Sequence, residues 1–205
     1  MVKVTALFWD VGGVILSNGW DRQQRRAMVE RFQLDEAEFE ERHELVASRF
    51  ETGRMTLDHY LERAIFYNPR PFTPRDVREF IFAQSQPYLQ TLRFLARLAA
   101  TRQYLLATLN NESRELNLYR IAKFDLRKYF SIFFSSCFLG VQKPDEDIFR
   151  LALEMTQRRA DEVIFIDDRQ LNVECARNYG LLAIQFHHVE QLEKDLQALG
   201  VTIPS

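Results

Sequence analysis

Five short apolar runs set the terms on which this chain can fold. They lie at Val4 to Trp9, Tyr104 to Leu109, Ile132 to Phe138, Val163 to Ile166 and Leu182 to Phe186. A brief continuous run without polar alternation is the mark of a strand covered on both faces, as in a parallel sheet. Helical patterns separate the last four runs. Ser113 to Ala122 is one, and Asp145 to Thr156 is another, with Ile148, Leu151, Ala152 and Met155 on one face. Leu171 to Tyr179 is a third, stopped by Gly180, and a last helix from Val189 to Leu199 is stopped by Gly200. Strands alternating with helices predict an α/β fold built on a parallel sheet.

Between the first two runs the rhythm breaks. From Asp21 to about Ser85 the pattern is helical throughout. Asp35 and Thr56 are N-cap candidates for helices reaching Phe50 and Tyr67, and Thr73-Pro74-Arg75-Asp76 opens another with proline in its first turn. Thr52-Gly53-Arg54 and Asn68-Pro69-Arg70-Pro71 are turn material between them. The division expected is a core of residues 1–17 and 88–205 and a helical insertion of residues 18–87. A length of 205 residues suits one domain carrying such an insertion.

With 27 Lys+Arg against 29 Asp+Glu, the chain has no basic footprint for nucleic acid or an anionic membrane. Cys137 and Cys175 are the only cysteines, which excludes a disulfide framework and a cysteine-based zinc site. The opening Met1-Val2-Lys3-Val4 meets Asp10 before any long apolar stretch. The expectation is therefore no signal peptide, no membrane span and a cytoplasmic setting.

In an open parallel sheet, ligands bind beyond the carboxyl ends of the strands. The residues just past the apolar runs here share one chemistry. Asp10 comes after the first, Asn110-Asn111 after the second, and Asp167-Asp168 after the fourth. The third leads to Gly140-Val141-Gln142-Lys143-Pro144-Asp145. Carboxylates, amides and one lysine thus converge on one edge of the sheet. Paired carboxylates after a buried strand call for a cation.

Read together, these segments resemble the four motifs of the haloacid dehalogenase (HAD) superfamily, in its type with a helical cap after the first motif. Phe8-Trp9-Asp10-Val11-Gly12-Gly13-Val14 is similar to the first, Lys143-Pro144-Asp145 with Ile148-Phe149 to the third, and Phe165-Ile166-Asp167-Asp168 with Asn172-Val173-Glu174 to the fourth. The second falls on Asn110-Asn111, with Thr108 the alternative register. The resemblance implies a Rossmann-like core with a small all-helical cap domain and a small phosphorylated substrate. It also implies that Asp10 is the nucleophile and that Asp10, Asp167, Asp168 and the carbonyl of Gly12 hold Mg2+. Lys143 would offset the charge of Asp10 and the phosphate, and Asn110 and Asn111 would contact substrate.

One position departs from the pattern. Family phosphatases usually carry a second Asp two residues after the nucleophile, as general acid and base, and here that residue is Gly12. Losing such a group costs about 100- to 10,000-fold in rate. Three readings are open: a Mg2+-dependent phosphatase similar to sugar-phosphate phosphatases of the Asp-x-Gly-(Asn/Gly)-Val type; a non-catalytic HAD-fold binding protein; and a metal-free 2-haloacid dehalogenase. The Asp167-Asp168 pair favours the first.

Overall fold

The computed structural model describes residues 3–203. Met1, Val2, Pro204 and Ser205, which the expected core division includes, lie outside them. The first strand, β1 (Ala6–Trp9), is followed by four helices, α1 (Arg22–Phe32), α2 (Glu36–Glu51), α3 (Leu57–Ala64) and α4 (Pro74–Ala83). Then come α5 (Leu89–Thr101), β2 (Leu105–Asn110), α6 (Arg114–Lys123), β3 (Ile132–Ser135), α7 (Ser136–Leu139) and α8 (Glu146–Thr156). The chain closes with β4 (Val163–Asp167), α9 (Gln170–Asn178), β5 (Leu182–Gln185) and α10 (Val189–Ala198).

All five strands are parallel, in the order β3-β2-β1-β4-β5. The connection out of β1 runs to one side and β4 enters on the other, so the sheet changes direction between β1 and β4. That switch point is where such sheets open a crevice. Trp9 pairs with Ile166, and the Asp10 amide donates to the Ile166 carbonyl at 2.8 Å. Asp10 and Asp167 are thereby brought side by side just past the switch point.

Alternate strand residues serve two cores. Leu7, Trp9, Ile164 and Ile166 pack against Phe94, Leu95 and Leu98 of α5 and Leu192 and Leu196 of α10. Ala6, Phe8, Val163 and Phe165 pack against Ile148, Phe149 and Ala152 of α8 and Val173 and Ala176 of α9. The buried face of α8 therefore turns toward Phe149 and Leu153, and Met155, expected on that face, is 61% exposed. The third run also ends earlier than expected. Its strand stops at Ser135 and the chain turns helical over Ser136–Leu139, because Ser135 and Ser136 are drawn into buried polar contacts.

The four helices after β1 form a third apolar cluster around Met28, Phe39, Phe50, Tyr60, Leu61 and Ile81, which also takes in Leu116 of α6. Their expected caps are in place: Asp35 accepts from the Glu38 amide, Thr56 from His59, and Thr73 forms a capping box with Asp76. The chain enters and leaves this unit through two paired segments. Leu16 bridges Pro87, the Ser17 amide donates to the Gln86 carbonyl at 2.8 Å, and the Tyr88 amide donates to Ile15 at 2.9 Å. The Ser17 hydroxyl donates to the Gln84 carbonyl at 2.7 Å and accepts from the Gln86 amide at 2.8 Å. No helix among the described residues is long and apolar enough to cross a membrane.

Candidate active site

Asp10 and Asp167 continue β1 and β4 beyond their last apolar residues, so their side chains emerge together from a buried sheet edge. Lys143 reaches them from the loop after α7. Its Nζ lies 3.1 Å from Asp10 Oδ1 and 2.6 Å from Asp167 Oδ2, and its side chain is 2% exposed. The lysine is itself held by its backbone. Asn111 Oδ1 accepts from the Lys143 amide at 2.9 Å, and Asn111 Nδ2 donates to the Lys143 carbonyl at 2.8 Å. Asp167 is further fixed by the Arg169 amide at 2.8 Å and by Asn172 Nδ2, which reaches both of its oxygens.

Asp168 completes the group. One oxygen from each of Asp10, Asp167 and Asp168 can be chosen so that all three lie within 4.8 Å of one another. Asp168 Oδ1 is buried with no hydrogen-bond partner. Gly13 makes room for this carboxylate. It adopts φ +74°, and a Cβ there would collide with Asp168 Oδ2. Burial pushes the Asp10 carboxyl up to about 7, with Lys143 opposing and Asp167 and Asp168 adding to the rise. Burial and Asp167 raise Asp168 too. Burial alone would lower Lys143, but the two carboxylates beside it raise it overall.

One ammonium cannot balance three clustered carboxylates. The orphaned Asp168 oxygen and the convergence of three carboxylates are the signs of a site completed by a hard cation, for which carboxylate oxygens are the fitting donors. The residues present therefore fit Mg2+.

A cavity of about 340 Å3 opens in front of this group. The core contributes Asp10, Gly12, Asn111, Glu112, Arg120 and Lys143, and the helical insertion contributes Trp20, Arg25, Phe50 and Glu51. A side chain at Gly12 would point toward Asn18, whose Oδ1 lies 2.7 Å from the place of a Cβ.

One expectation changes. Asn110 does not line the cavity: its side chain is buried, donating to Asn117 Oδ1 at 3.3 Å and accepting from Ser135 at 2.9 Å. Its neighbour Asn111 faces the cavity, because successive residues at the strand exit point opposite ways. Arg25 of α1 is turned inward and grips Glu40 with two 2.9 Å bonds. Thr108, the alternative register, is also buried, with its hydroxyl unpartnered. The anchoring by Asn172 went unforeseen, although its place one turn after Asp167 offered a signal.

A sequence profile of haloacid dehalogenase-like hydrolases matches residues 4–180. The chain belongs to that family. Among solved structures, it is similar to a HAD family enzyme of Bacteroides thetaiotaomicron in complex with magnesium and inorganic phosphate, with 19% identity, a TM-score of 0.74, and 92% of this chain and 98% of that one covered. It is also similar in fold to L-2-haloacid dehalogenase of Xanthobacter autotrophicus, with 18% identity, a TM-score of 0.64, and 98% and 84% covered. Among curated proteins, the chloroplast flavin mononucleotide hydrolase 1 of Arabidopsis thaliana is 29% identical over 162 residues, 79% of this chain. The chain spans 65% of that relative's length and smaller shares of the other curated relatives. A HAD family enzyme holding magnesium and phosphate and a haloacid dehalogenase thus share its fold, and the choice of chemistry rests on the site.

Proposed function

We propose that this HAD-like hydrolase is a Mg2+-dependent phosphatase for a small phosphorylated metabolite, such as a sugar phosphate. The observation that carries this reading is the buried Lys143 bridging Asp10 and Asp167 beside the unpartnered oxygen of Asp168. The magnesium and phosphate in the Bacteroides enzyme and the phosphate ester named for the Arabidopsis relative support it. A haloacid carboxylate would meet three acids at these strand ends, which speaks against the dehalogenase reading.

Asp10, Asp167, Asp168 and the Gly12 carbonyl would hold Mg2+, which when bound offsets the repulsion between a carboxylate and a phosphate dianion. Asp10 attacks phosphorus, the bond to the ester oxygen breaks, that oxygen leaves and takes a proton from solvent, and an aspartyl phosphate forms. Water then attacks the same phosphorus and gives up a proton to solvent, the bond to Asp10 breaks, and inorganic phosphate leaves. Lys143 favours the ionised form of Asp10 and aims it, and Asn111 holds Lys143. Residues 18–87 act as a cap that closes the cavity over the leaving group, on a core of residues 1–17 and 88–205. A cavity of about 340 Å3 suits a small molecule. Two free cysteines accord with a reducing, cytoplasmic setting.

Phosphate release measured with Mg2+ and with EDTA tests this. Asp10→Asn is nearly isosteric and a poor nucleophile, so turnover should vanish while the fold persists. Activity above a few per cent of wild type in the variant, or full activity in EDTA, would refute it.

A further inference from the structure

Gly12 leaves room beside the nucleophile, and one side chain fills it. The three atoms nearest the place of a Gly12 Cβ all belong to Asn18, with Oδ1 at 2.7 Å, Cα at 3.7 Å and Cγ at 3.8 Å. Asn18 lines the cavity together with Asp10 and Lys143, and its carboxamide has no hydrogen-bond partner among the described residues. The neutral and basic groups around Asp10 are, by contrast, already engaged. Asn111 holds the backbone of Lys143, Asn172 holds Asp167, and Lys143 lies between Asp10 and Asp167. Arg22, Glu51 and Arg169 also line the cavity without a side-chain partner, but none comes as near to Gly12 as Asn18 does.

The backbone on either side of Asn18 is firmly held. The Ser17 amide donates to the Gln86 carbonyl at 2.8 Å, and the Ser17 carbonyl accepts from Arg120. Gly19 lies so close to α6 that a Cβ would meet Leu116 Cδ2 at 2.8 Å and Glu112 Oε2 at 3.1 Å. Fixed neighbours thus aim a carboxamide that makes no bond of its own within the fold. It offers the cavity one acceptor oxygen and one donor nitrogen, at the edge of the space in front of Asp10.

We infer that Asn18 positions the water that hydrolyses the aspartyl phosphate. The inference rests on the phosphatase reading. In an in-line displacement the water enters where the ester oxygen departed. Asn18 Oδ1 accepts a hydrogen bond from one O–H of that water and so turns its lone pair toward phosphorus. The water oxygen bonds to phosphorus, the bond from phosphorus to Asp10 breaks with its electron pair returning to the carboxylate, and a proton of the water passes to solvent. A carboxamide takes up no proton, so its part is orientation and not base catalysis. A glutamine that aligns the attacking water plays the same part in GTP hydrolysis. Misplacing a reactant by about 1 Å can cost about 100-fold, which sets the scale of the effect.

Rapid kinetics with p-nitrophenyl phosphate in Mg2+ separate the two steps, because p-nitrophenolate leaves as the aspartyl phosphate forms. Asn18→Ala and the similarly sized Asn18→Leu should each lower kcat about 10- to 100-fold. Their kcat/KM, which reports only the first step, should stay within about twofold of wild type, and each should show an initial burst of p-nitrophenolate. Acid quench followed by intact-mass measurement should find the aspartyl phosphate accumulated in both. Asn18→Asp keeps the acceptor and should hold kcat within about threefold or raise it. All three variants should melt close to wild type, since the carboxamide makes no bond in the fold. A kcat/KM that falls as far as kcat, no burst in either apolar variant, or a loss in Asn18→Asp as deep as in Asn18→Ala overturns the role of Asn18. Unfolding of both apolar variants makes the residue a structural one and overturns it too. Failure of wild type to release phosphate from the aryl ester overturns the phosphatase reading instead, and this inference with it.

Discussion

Replacing Lys143 by Met removes the one positive charge from a cluster of three carboxylates while keeping an unbranched side chain of similar length. Lys143 is 2% exposed, and its partners Asp10 and Asp167 are 11% and 0% exposed. Breaking a buried pair by removing one partner costs about 3–5 kcal/mol. For a chain of this size each kcal/mol is worth about 2–4 °C, so the metal-free variant should melt about 10 °C lower. Protonation limits the damage. Burial already holds Asp10 near 7, above its ordinary 3.8, and loss of the opposing ammonium raises it further. A folded-state value above the unfolded one means the group's contribution is fully present below the unfolded value and lost as pH rises through the folded one. The deficit of Lys143→Met in EDTA should therefore be small at about pH 5 and widest at about pH 8. Millimolar Mg2+ should narrow it, because the carboxylates no longer shared with an ammonium bind the cation more tightly in the folded variant than in wild type. Phosphate release should drop by about 100- to 1,000-fold even where the variant is folded. Urea denaturation at the two pH values, with and without Mg2+, reads all of this. Equal stability of the two proteins at the higher pH in EDTA, or a gap that Mg2+ widens, refutes the electrostatic account.

Other consequences can be checked alongside. Without an acid at Gly12, wild type should cleave aryl phosphates far faster than alkyl phosphates, and Gly12→Asp should rescue the alkyl esters by up to about 100-fold once the flexible Asn18 side chain gives way. Equal wild-type rates on both classes, with chemistry limiting, would place the proton donor elsewhere. Burial holds the His43 imidazole down at about 4, where its Nδ1 meets the Tyr60 hydroxyl at 2.9 Å. The contribution of His43 to stability should be complete above about pH 6.5 and fall by about 3 kcal/mol as the pH drops toward 4, a slope that His43→Gln should flatten in a urea titration. Gly53→Ala forces a side chain into the left-handed region against the Cys137 carbonyl and should cost about 1–3 kcal/mol in the same assay, with no loss for a glycine that merely fills space.

Asp10 and Asp167 were legible in the sequence because each ends an uninterrupted apolar run, and the residue just past a buried strand in a parallel sheet has few places to go. The helix starts at Asp35, Thr56 and Thr73 were legible for a related reason, since capping is a matter of adjacent residues. What escaped is what depends on partners distant in the chain. Nothing near Arg25 announces Glu40. Nothing near Asn110 announces Ser135 and Asn117, which take its side chain away from the cavity and leave Asn111 to face it. The helix Leu89–Thr101 lay between the insertion and the second strand, and its buried Phe94, Leu95 and Leu98 carry a readable periodicity. That Glu51 lines the cavity was not legible, because a glutamate at the end of a helix is ordinary until its carbonyl is seen accepting from Ser136 Oγ of the core.

The pairing of Leu16 and Ser17 with Gln84, Gln86 and Pro87 gives the inserted helices a single doorway, with entrance and exit stitched to each other by the core's own backbone. The loop that closes there costs chain entropy that grows only with the logarithm of its length. The guest beyond the doorway can therefore be enlarged, trimmed or exchanged at little expense to the host. The strand ends bearing Asp10, Lys143 and Asp167 would keep their spacing while the walls facing them are rewritten. Such a chain can change what it recognises without relearning how it reacts.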